Sequence, residues 1–324
     1  MIVACILALS IVFAFTSCSD GSSSGSNGDN GQVTNPAENP SDSGNGGGVN
    51  TNPSNPETPK VTYTVTFDAN GGSGTMNPQI FTYGEPQNLS PNEFTMENKD
   101  FLGWAKTSCG SIAYDDNSGY TIGAADVTLY AVWGKLVTAD NAATVIAGLE
   151  GGTFKNPNVC TVKIISKEES DKDFLKEINE KMCSRWNEYV KVNLDLSASG
   201  ITEIPENSFT GASLLGITLP NSLESIKTKA FYSTFSLKKI VIPDNVRIIE
   251  AEVFYDCCYL VEITLPASLT NIGEYAFSGC DKLETVKYGG TQAQWEALKA
   301  NISEGNDKLT SAKIICTDGI INGE

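Results

Sequence analysis

Apolar and polar positions recur along this chain with several different periods, and each change of period marks a change of expected structure. Residues 2–15 are apolar apart from Ser10. That run suits the core of a secretory leader and is too short to cross a bilayer as a helix, which needs about 20 residues. Residues 19–60 hold 8 Gly, 8 Ser, 8 Asn and 5 Pro, with Val33, Ala37 and Val49 as their only aliphatic side chains. So little apolar surface cannot offset the entropy of ordering, and a linker is expected here. From Val61 to Phe67, β-branched and aromatic residues alternate with a period of two, as in a strand, and Asp68-Ala69-Asn70-Gly71-Gly72 supplies a turn. Further short strands are expected around Ile80–Tyr83, Phe101–Ala105 and Val127–Trp133.

Between residues 135 and 192 the periods lengthen. A short helix is expected over Ala142–Leu149, a strand over Cys160–Ile165 and a longer helix over Asp171–Trp186. In that helix Phe174, Leu175, Ile178, Met182 and Trp186 share one face at three- and four-residue spacing. Glu168, Glu169, Asp171 and Asp173 favour its start through the helix dipole, a solvated charge run with no chemistry of its own.

Beyond Asn193 one pattern recurs. Phe209, Phe231, Phe254 and Phe277 keep step with Ile204, Ile226, Ile249 and Ile272, with Leu214, Leu237, Leu260 and Leu283, and with Ile217, Ile240, Ile263 and Val286. Leu219-Pro220, Ile242-Pro243 and Leu265-Pro266 fall in the same register, and Leu194-Asp195-Leu196 fits as a degenerate first strand. Columns held in phase this way are the signature of a solenoid. Each unit supplies a short strand whose Ile and Leu face inward, and a proline ends it because proline cannot donate to a ladder. The return limb adds an Ile and a phenylalanine to the same core. One unit cannot bury that apolar face; a stack can. The ends then need covers. Residues before Asn193 serve at one end. At the other, Thr291-Gln292-Ala293-Gln294 has the pattern of a capping box opening a short helix, Trp295 is expected as a lid on the core, and Lys313–Cys316 can add a last strand.

In this register the side chains between core positions point to an open face: Asn193, Asp195, Gly216, Thr218, Lys239, Val241, Glu262, Thr264, Thr285 and Lys287. They are mostly small or polar. They predict a shallow surface without a deep pocket, suited to contact with protein or glycan more than to small-molecule chemistry.

Composition narrows the function classes. Lys and Arg total 22 against 39 Asp and Glu, a formal charge of −17 and a pI near 4.4. That balance argues against nucleic acid, whose binding needs a basic stripe, and against docking on anionic lipid headgroups. Histidine is absent, which removes the commonest general base and every His-containing metal site. The 9 cysteines include no C-x-x-C pair. Cys257 and Cys280 occupy one column in adjacent turns, about 5 Å apart by strand spacing, and are expected as buried thiols acting as small hydrophobes. Asp115-Asp116-Asn117-Ser118-Gly119 lacks the ligands of a calcium loop and reads as a polar turn. No phosphate-binding loop or nucleophile elbow is written here, and no carboxylate pair stands out. No catalytic residue, metal or cofactor is expected, and the chain reads as a non-enzyme.

Three segments resemble known families. Phe15-Thr16-Ser17-Cys18, followed by Ser19 and Asp20, resembles the lipobox of bacterial lipoproteins, which implies acylation of Cys18 and cleavage before it. Val65-Thr66-Phe67-Asp68-Ala69-Asn70-Gly71-Gly72, Phe101-Leu102-Gly103-Trp104 and Leu129-Tyr130-Ala131-Val132-Trp133 resemble the B-repeat of internalin-type surface proteins, also called the Listeria–Bacteroides repeat. That likeness implies a small β-grasp-like module in which Trp104 and Trp133 are core aromatics. Leu260-Val261-Glu262-Ile263-Thr264-Leu265-Pro266 through Ile272 to Cys280 resembles BspA-like leucine-rich repeats, a family of bacterial surfaces some of whose members bind host extracellular-matrix or plasma proteins.

The expected fold is therefore mixed α/β and β-rich, a β-grasp-like module followed by a leucine-rich-repeat solenoid with α/β caps. The expected order is a leader over 1–17, a lipid-anchored linker over 18–60, the module over 61–134, an α/β cap over 135–192, the repeats over 193–290 and a second cap over 291–324. The expected role is a lipoprotein held in the bacterial envelope at the outer membrane and cell surface. Its open face would contact a host matrix protein, a bacterial-surface protein or a glycan, and the alternative is a structural spacer without a dedicated ligand. Each buried lipid methylene contributes about 0.8 kcal/mol, so several acyl chains on one cysteine give stable attachment. Cys18→Ala should release the protein into the soluble fraction or block its processing, and Cys5→Ala should do neither; membrane fractionation with mass analysis of the N-terminus checks both.

Overall fold

The computed structural model describes residues 60–165, 173–184 and 188–322. Cys18, the expected leader and the expected linker lie outside the described residues, as does Trp186. The fold is mixed α/β and β-rich.

Its first unit is built by β1 (Thr62–Asp68), β2 (Gln79–Thr82), β3 (Pro86–Asn88), β4 (Asp100–Ala105), β5 (Gly119–Thr121) and the first part of β6 (Val127–Thr138). Strand β1 runs antiparallel to β2 and parallel to β6, and β4 runs antiparallel to β6. The alternating residues of β1 put Val65 and Phe67 into a core with Phe81, Phe94 and Leu129. Trp104 is fully buried at its centre, with the rings of Phe67 and Phe101 each 4.8 Å away. Trp133 packs against the same core, and its indole Nε1–H donates to the Ala69 carbonyl at 2.8 Å. A bulge in β4 requires Gly103: φ is +140°, and a Cβ there would lie 2.7 Å from both the Ile112 Cγ2 and the Tyr114 carbonyl.

The sequence pattern ends the last strand of this unit at Trp133, yet β6 runs on to Thr138 and so crosses the boundary expected between 134 and 135. Its first part pairs with β1 and β4, and Lys135–Thr138 pair in parallel with β7 (Asn158–Ile165). Gly134 makes this possible. A Cβ there would lie 2.1 Å from the Thr161 carbonyl oxygen and 2.6 Å from Leu102, so only a bare residue lets both neighbours close on β6.

Helices α1 (Ala139–Ala147) and α2 (Asp173–Ser184) cover one side of the extended sheet. Phe174, Leu175, Ile178 and Met182 are buried, as their spacing predicts. Strand β8 (Val190–Asp195) pairs in parallel with β7 and starts the repeats. From there, two-residue strands on the return limb alternate with longer face strands: β9 (Glu203–Ile204), β10 (Leu214–Thr218), β11 (Ser225–Ile226), β12 (Lys239–Val241), β13 (Ile248–Ile249), β14 (Glu262–Leu265), β15 (Asn271–Ile272) and β16 (Thr285–Tyr288). The columns read from the sequence meet in space: Ile217 faces Leu194, and Ile240, Ile263 and Val286 lie side by side. Phe209, Phe231, Phe254 and Phe277 stack with centroids 5.2, 5.3 and 5.2 Å apart. Cys257 and Cys280 are fully buried free thiols whose Sγ–H groups donate to the carbonyls of Phe231 and Phe254 at 3.1 and 3.2 Å.

Each repeat also carries a backbone device invisible in the hydrophobic pattern. The residues two before and two after each stacked phenylalanine adopt positive φ: Asn207, Lys229, Glu252 and Tyr275 before, Gly211, Ser233, Asp256 and Gly279 after. Left-handed conformation costs a non-glycine residue roughly 1–2 kcal/mol. Here it aims alternate N–H groups along the stack. Lys229, Phe231 and Ser233 donate to the carbonyls of Ala251, Val253 and Tyr255 in the next turn, and Glu252, Phe254 and Asp256 repeat the pattern one turn on.

The far end is closed by α3 (Gln292–Lys299), α4 (Asp307–Thr310), β17 (Lys313–Cys316) and β18 (Gly319–Ile321). The expected capping box is present at Thr291 and Gln294. Trp295 is buried against Tyr288, ring centroids 5.4 Å apart, and closes the core as expected. Buried Asn306 takes the place of a further repeat: its Oδ1 accepts the N–H of Phe277 at 2.9 Å.

Two outcomes follow from this packing. Phe254 touches stacked rings on both sides, so Phe254→Ala should cost about 3–5 kcal/mol in chemical denaturation, the range for a buried phenylalanine. Burial pushes the Cys257 thiol well above its usual value and the Cys280 thiol up to about 12 from 9.0. The folded chain therefore holds protons that the unfolded chain releases, so this contribution is complete below pH 9 and is lost as pH rises toward 12. Iodoacetamide at mildly alkaline pH should leave both cysteines unmodified in the native chain and alkylate both in denaturant, read by peptide mapping.

Candidate functional site

Alternation along the face strands sends Leu194, Ile240, Ile263 and Val286 into the core and leaves two columns of side chains on the opposite, open face. Parallel register builds the first column from Thr161, Asn193 and Gly216, then Lys239, Glu262 and Thr285. It builds the second from Lys163, Asp195 and Thr218, then Val241, Thr264 and Lys287. All ten positions expected on the open face stand in these columns, in the order the repeat register predicts.

The face divides into two environments. Over β12, β14 and β16 it is bare. Lys239, Val241 and Lys287 are exposed, while Glu262, Thr264 and Thr285 are half-buried. Glu262 lies between two lysines, 3.7 Å from the Lys239 Nζ and 3.0 Å from the Lys287 Nζ. Over β7 and β8 the first unit reaches across. Lys163 is buried and its ammonium donates to the Leu102 carbonyl at 3.2 Å and to the Asp115 carboxylate at 2.5 Å. The polar turn at Asp115 thus ties the first unit to the repeat sheet; Asp116 accepts the N–H of Asn92 at 2.9 Å.

This covering changes two expectations. Asp195, expected on an open surface, is only 4% exposed. Its Oδ1 accepts the N–H of Ser197 at 2.9 Å, and its Oδ2 has no hydrogen-bond partner in the protein. The expectation of a uniformly shallow face without a deep pocket is modified as well. Gly110, Ser111 and Ile112 overhang the sheet and enclose a cleft of about 570 Å³ with Asn193, Asp195 and Thr218 on its floor. Lys239, Val241 and Glu262 also line it, whereas Thr264, Thr285 and Lys287 do not. The cleft sits where the face ladder is interrupted: β10 bulges between Leu214 and Gly216, and its ladder does not continue to β12.

Thr161, Lys163, Ile112 and Asn221 are the site residues that sequence reasoning missed. Lys163 was readable, since Val162 and Ile164 bracket it as core positions of an expected strand. Ile112 was not, because residues 106–115 have no period. Among the described residues no group of three or more His, Cys, Asp or Glu is placed to hold a metal ion, and no helix is long and apolar enough to cross a membrane.

Comparison with known proteins agrees with both repeat types. Residues 176–302 match the BspA type leucine rich repeat region in 6 copies, and residues 63–132 match the Listeria-Bacteroides repeat domain. No curated protein matches the chain. Among solved structures, a leucine rich repeat protein of T. pallidum is similar at 27% identity with a TM-score of 0.31, over 42% of this chain and 66% of that one. A leucine rich cell surface protein of Faecalibacterium prausnitzii is similar at 22% identity with a TM-score of 0.36, over 45% of this chain and 39% of that one. A leucine-rich repeat protein of Bacteroides ovatus is similar at 23% identity with a TM-score of 0.33, over 53% of this chain and 39% of that one. The chain spans less than two thirds of the length of each.

Proposed function

We propose that this chain, which carries a Listeria-Bacteroides repeat domain followed by a BspA-type leucine-rich-repeat region, is a non-enzymatic lipoprotein of the bacterial cell surface that binds a macromolecular partner. It would be anchored through acylated Cys18, with residues 19–60 as the tether, in the outer membrane. The observation that carries the binding role is the bare face over β12, β14 and β16. Parallel sheets are ordinarily covered on both faces. This one buries its inner face completely and leaves the other to solvent, with Lys239, Glu262 and Lys287 set in fixed geometry on rigid strands. Surface ion pairs of this kind contribute about 0–1 kcal/mol to stability, so their placement does little for the fold and remains free for recognition. A host extracellular-matrix protein, or a protein or glycan of a bacterial surface, fits such a face. The acidic chain suits neither nucleic acid nor anionic lipid.

A pull-down of host-matrix and bacterial-surface preparations on the full chain, with a triple variant Lys239→Ala, Glu262→Ala and Lys287→Ala as control, tests the reading. The variant should weaken capture about tenfold or more, since clustered central contacts carry most binding energy. Its melting temperature should stay within about 4 °C of the parent, the shift that corresponds to roughly 1 kcal/mol. Equal capture by both proteins places the contact elsewhere, and capture of nothing favours a structural spacer.

A further inference from the structure

The cleft beneath residues 110–112 holds a charge that the protein itself leaves incomplete. Asp195 lies on the open face of β8, between Lys163 of β7 and Thr218 of β10 in the parallel register. One carboxylate oxygen takes the Ser197 N–H, and the other has no hydrogen-bond partner in the protein. A buried carboxylate in this state is costly, because burial strips away water without supplying a replacement donor. The nearby cations are already engaged. Lys163 is held by Asp115 and the Leu102 carbonyl, and Lys239 and Lys287 both lie against Glu262. Among the described residues at the cleft, Asp195 is the acidic side chain without an ion-pair partner.

The walls indicate what would complete it. Ile112 from above, and Ile217, Leu219, Val241 and Pro243 from the repeats, give the cleft aliphatic sides. No aromatic ring stands among its described lining residues, so a flat sugar face has no ring to stack on. An aliphatic stem ending in a cationic donor matches both features: the methylenes pack on the walls and the cation meets the carboxylate. The net charge of −17 favours the approach of a basic group.

We propose that this cleft receives a lysine or arginine side chain of a bound protein, with Asp195 as its counter-ion. The proposal rests on the reading of the open face as a protein-binding surface and names the chemistry it selects.

Isoleucine methyl NMR on the full chain tests it, because Ile112 and Ile217 are reporters inside the cleft. The probes are Nα-acetyl-lysine methylamide and Nα-acetyl-norleucine methylamide, which share a four-carbon stem and differ in the ammonium. The lysine compound should shift the Ile112 and Ile217 methyl signals and bind at least about tenfold tighter than the norleucine compound, the scale of one charge-assisted hydrogen bond. Asp195→Asn keeps an acceptor for Ser197 and should abolish the preference. Val241→Trp, at an exposed position on the rim, should block both probes and serves as the second variant if Asp195→Asn does not fold. Equal affinity for the two probes, shifts confined to other methyls, or a preference that survives Asp195→Asn overturns the proposal. Failure of the lysine probe beside a triple face variant that still loses its partner overturns the cleft alone and leaves the open-face reading standing.

Discussion

Every turn of the solenoid depends on its neighbour for two things at once: cover for its apolar side chains, and acceptors for its backbone. The stacked phenylalanines supply the first. The left-handed residues on either side of them supply the second, by aiming alternate N–H groups at the carbonyls of the next turn. Neither requirement can be met within one repeat, so the array is stable only where it is closed. At one end α1, α2, β6 and β7 extend the sheet and cover the core. At the other, Trp295 supplies the apolar lid and Asn306 supplies an acceptor. One continuous core therefore runs from Val137 to Cys316, while the first unit keeps a core of its own around Trp104.

The same stacking generates the open face and then limits it. Strands held in parallel register present side chains in straight columns, and most of those side chains are small or polar. Where the first unit reaches over β7 and β8, the columns become buried, and a lysine there is neutralised by Asp115. Past the bulge in β10 the overhang reaches only Lys239, Val241 and Glu262, and among the described residues Thr264, Thr285 and Lys287 lie outside the cleft. The cleft lies at the border, and its floor keeps the one carboxylate oxygen of Asp195 that neither side satisfies. A rigid sheet next to a covering loop thus yields a shaped, polar-floored recess from residues that a flat surface would leave fully hydrated.

Most of the solenoid was legible in the sequence because its columns are enforced by burial: any polar substitution at Ile240 or Phe254 would leave an unpaired group in a dry core. The strands of the first unit were legible for the same reason, through the alternation in Val61–Phe67 and the aromatic positions near Trp104. What escaped the pattern is held by other forces. The left-handed pairs are backbone choices shared by Asn, Lys, Glu and Tyr on one side of the phenylalanine and by Gly, Ser and Asp on the other, so apart from Gly211 and Gly279 side-chain type carries little trace of them. The run of β6 past Trp133 hangs on Gly134, one residue whose role is to be absent. The covering of Asp195 rests on a loop without period and on a lysine–aspartate contact between positions 48 residues apart.

That shared strand also governs how the molecule bears load. The chain enters the first unit at β1 and leaves it along β6, and these two strands are parallel neighbours paired from Val65 to Asp68. Tension between residue 60 and the repeats pulls them in opposite directions along a common axis. The hydrogen bonds joining them are then strained together in shear and cannot open one after another like a zip. A protein drawn taut between a surface and something it holds would meet that force first at this seam, with the repeat core behind it still closed.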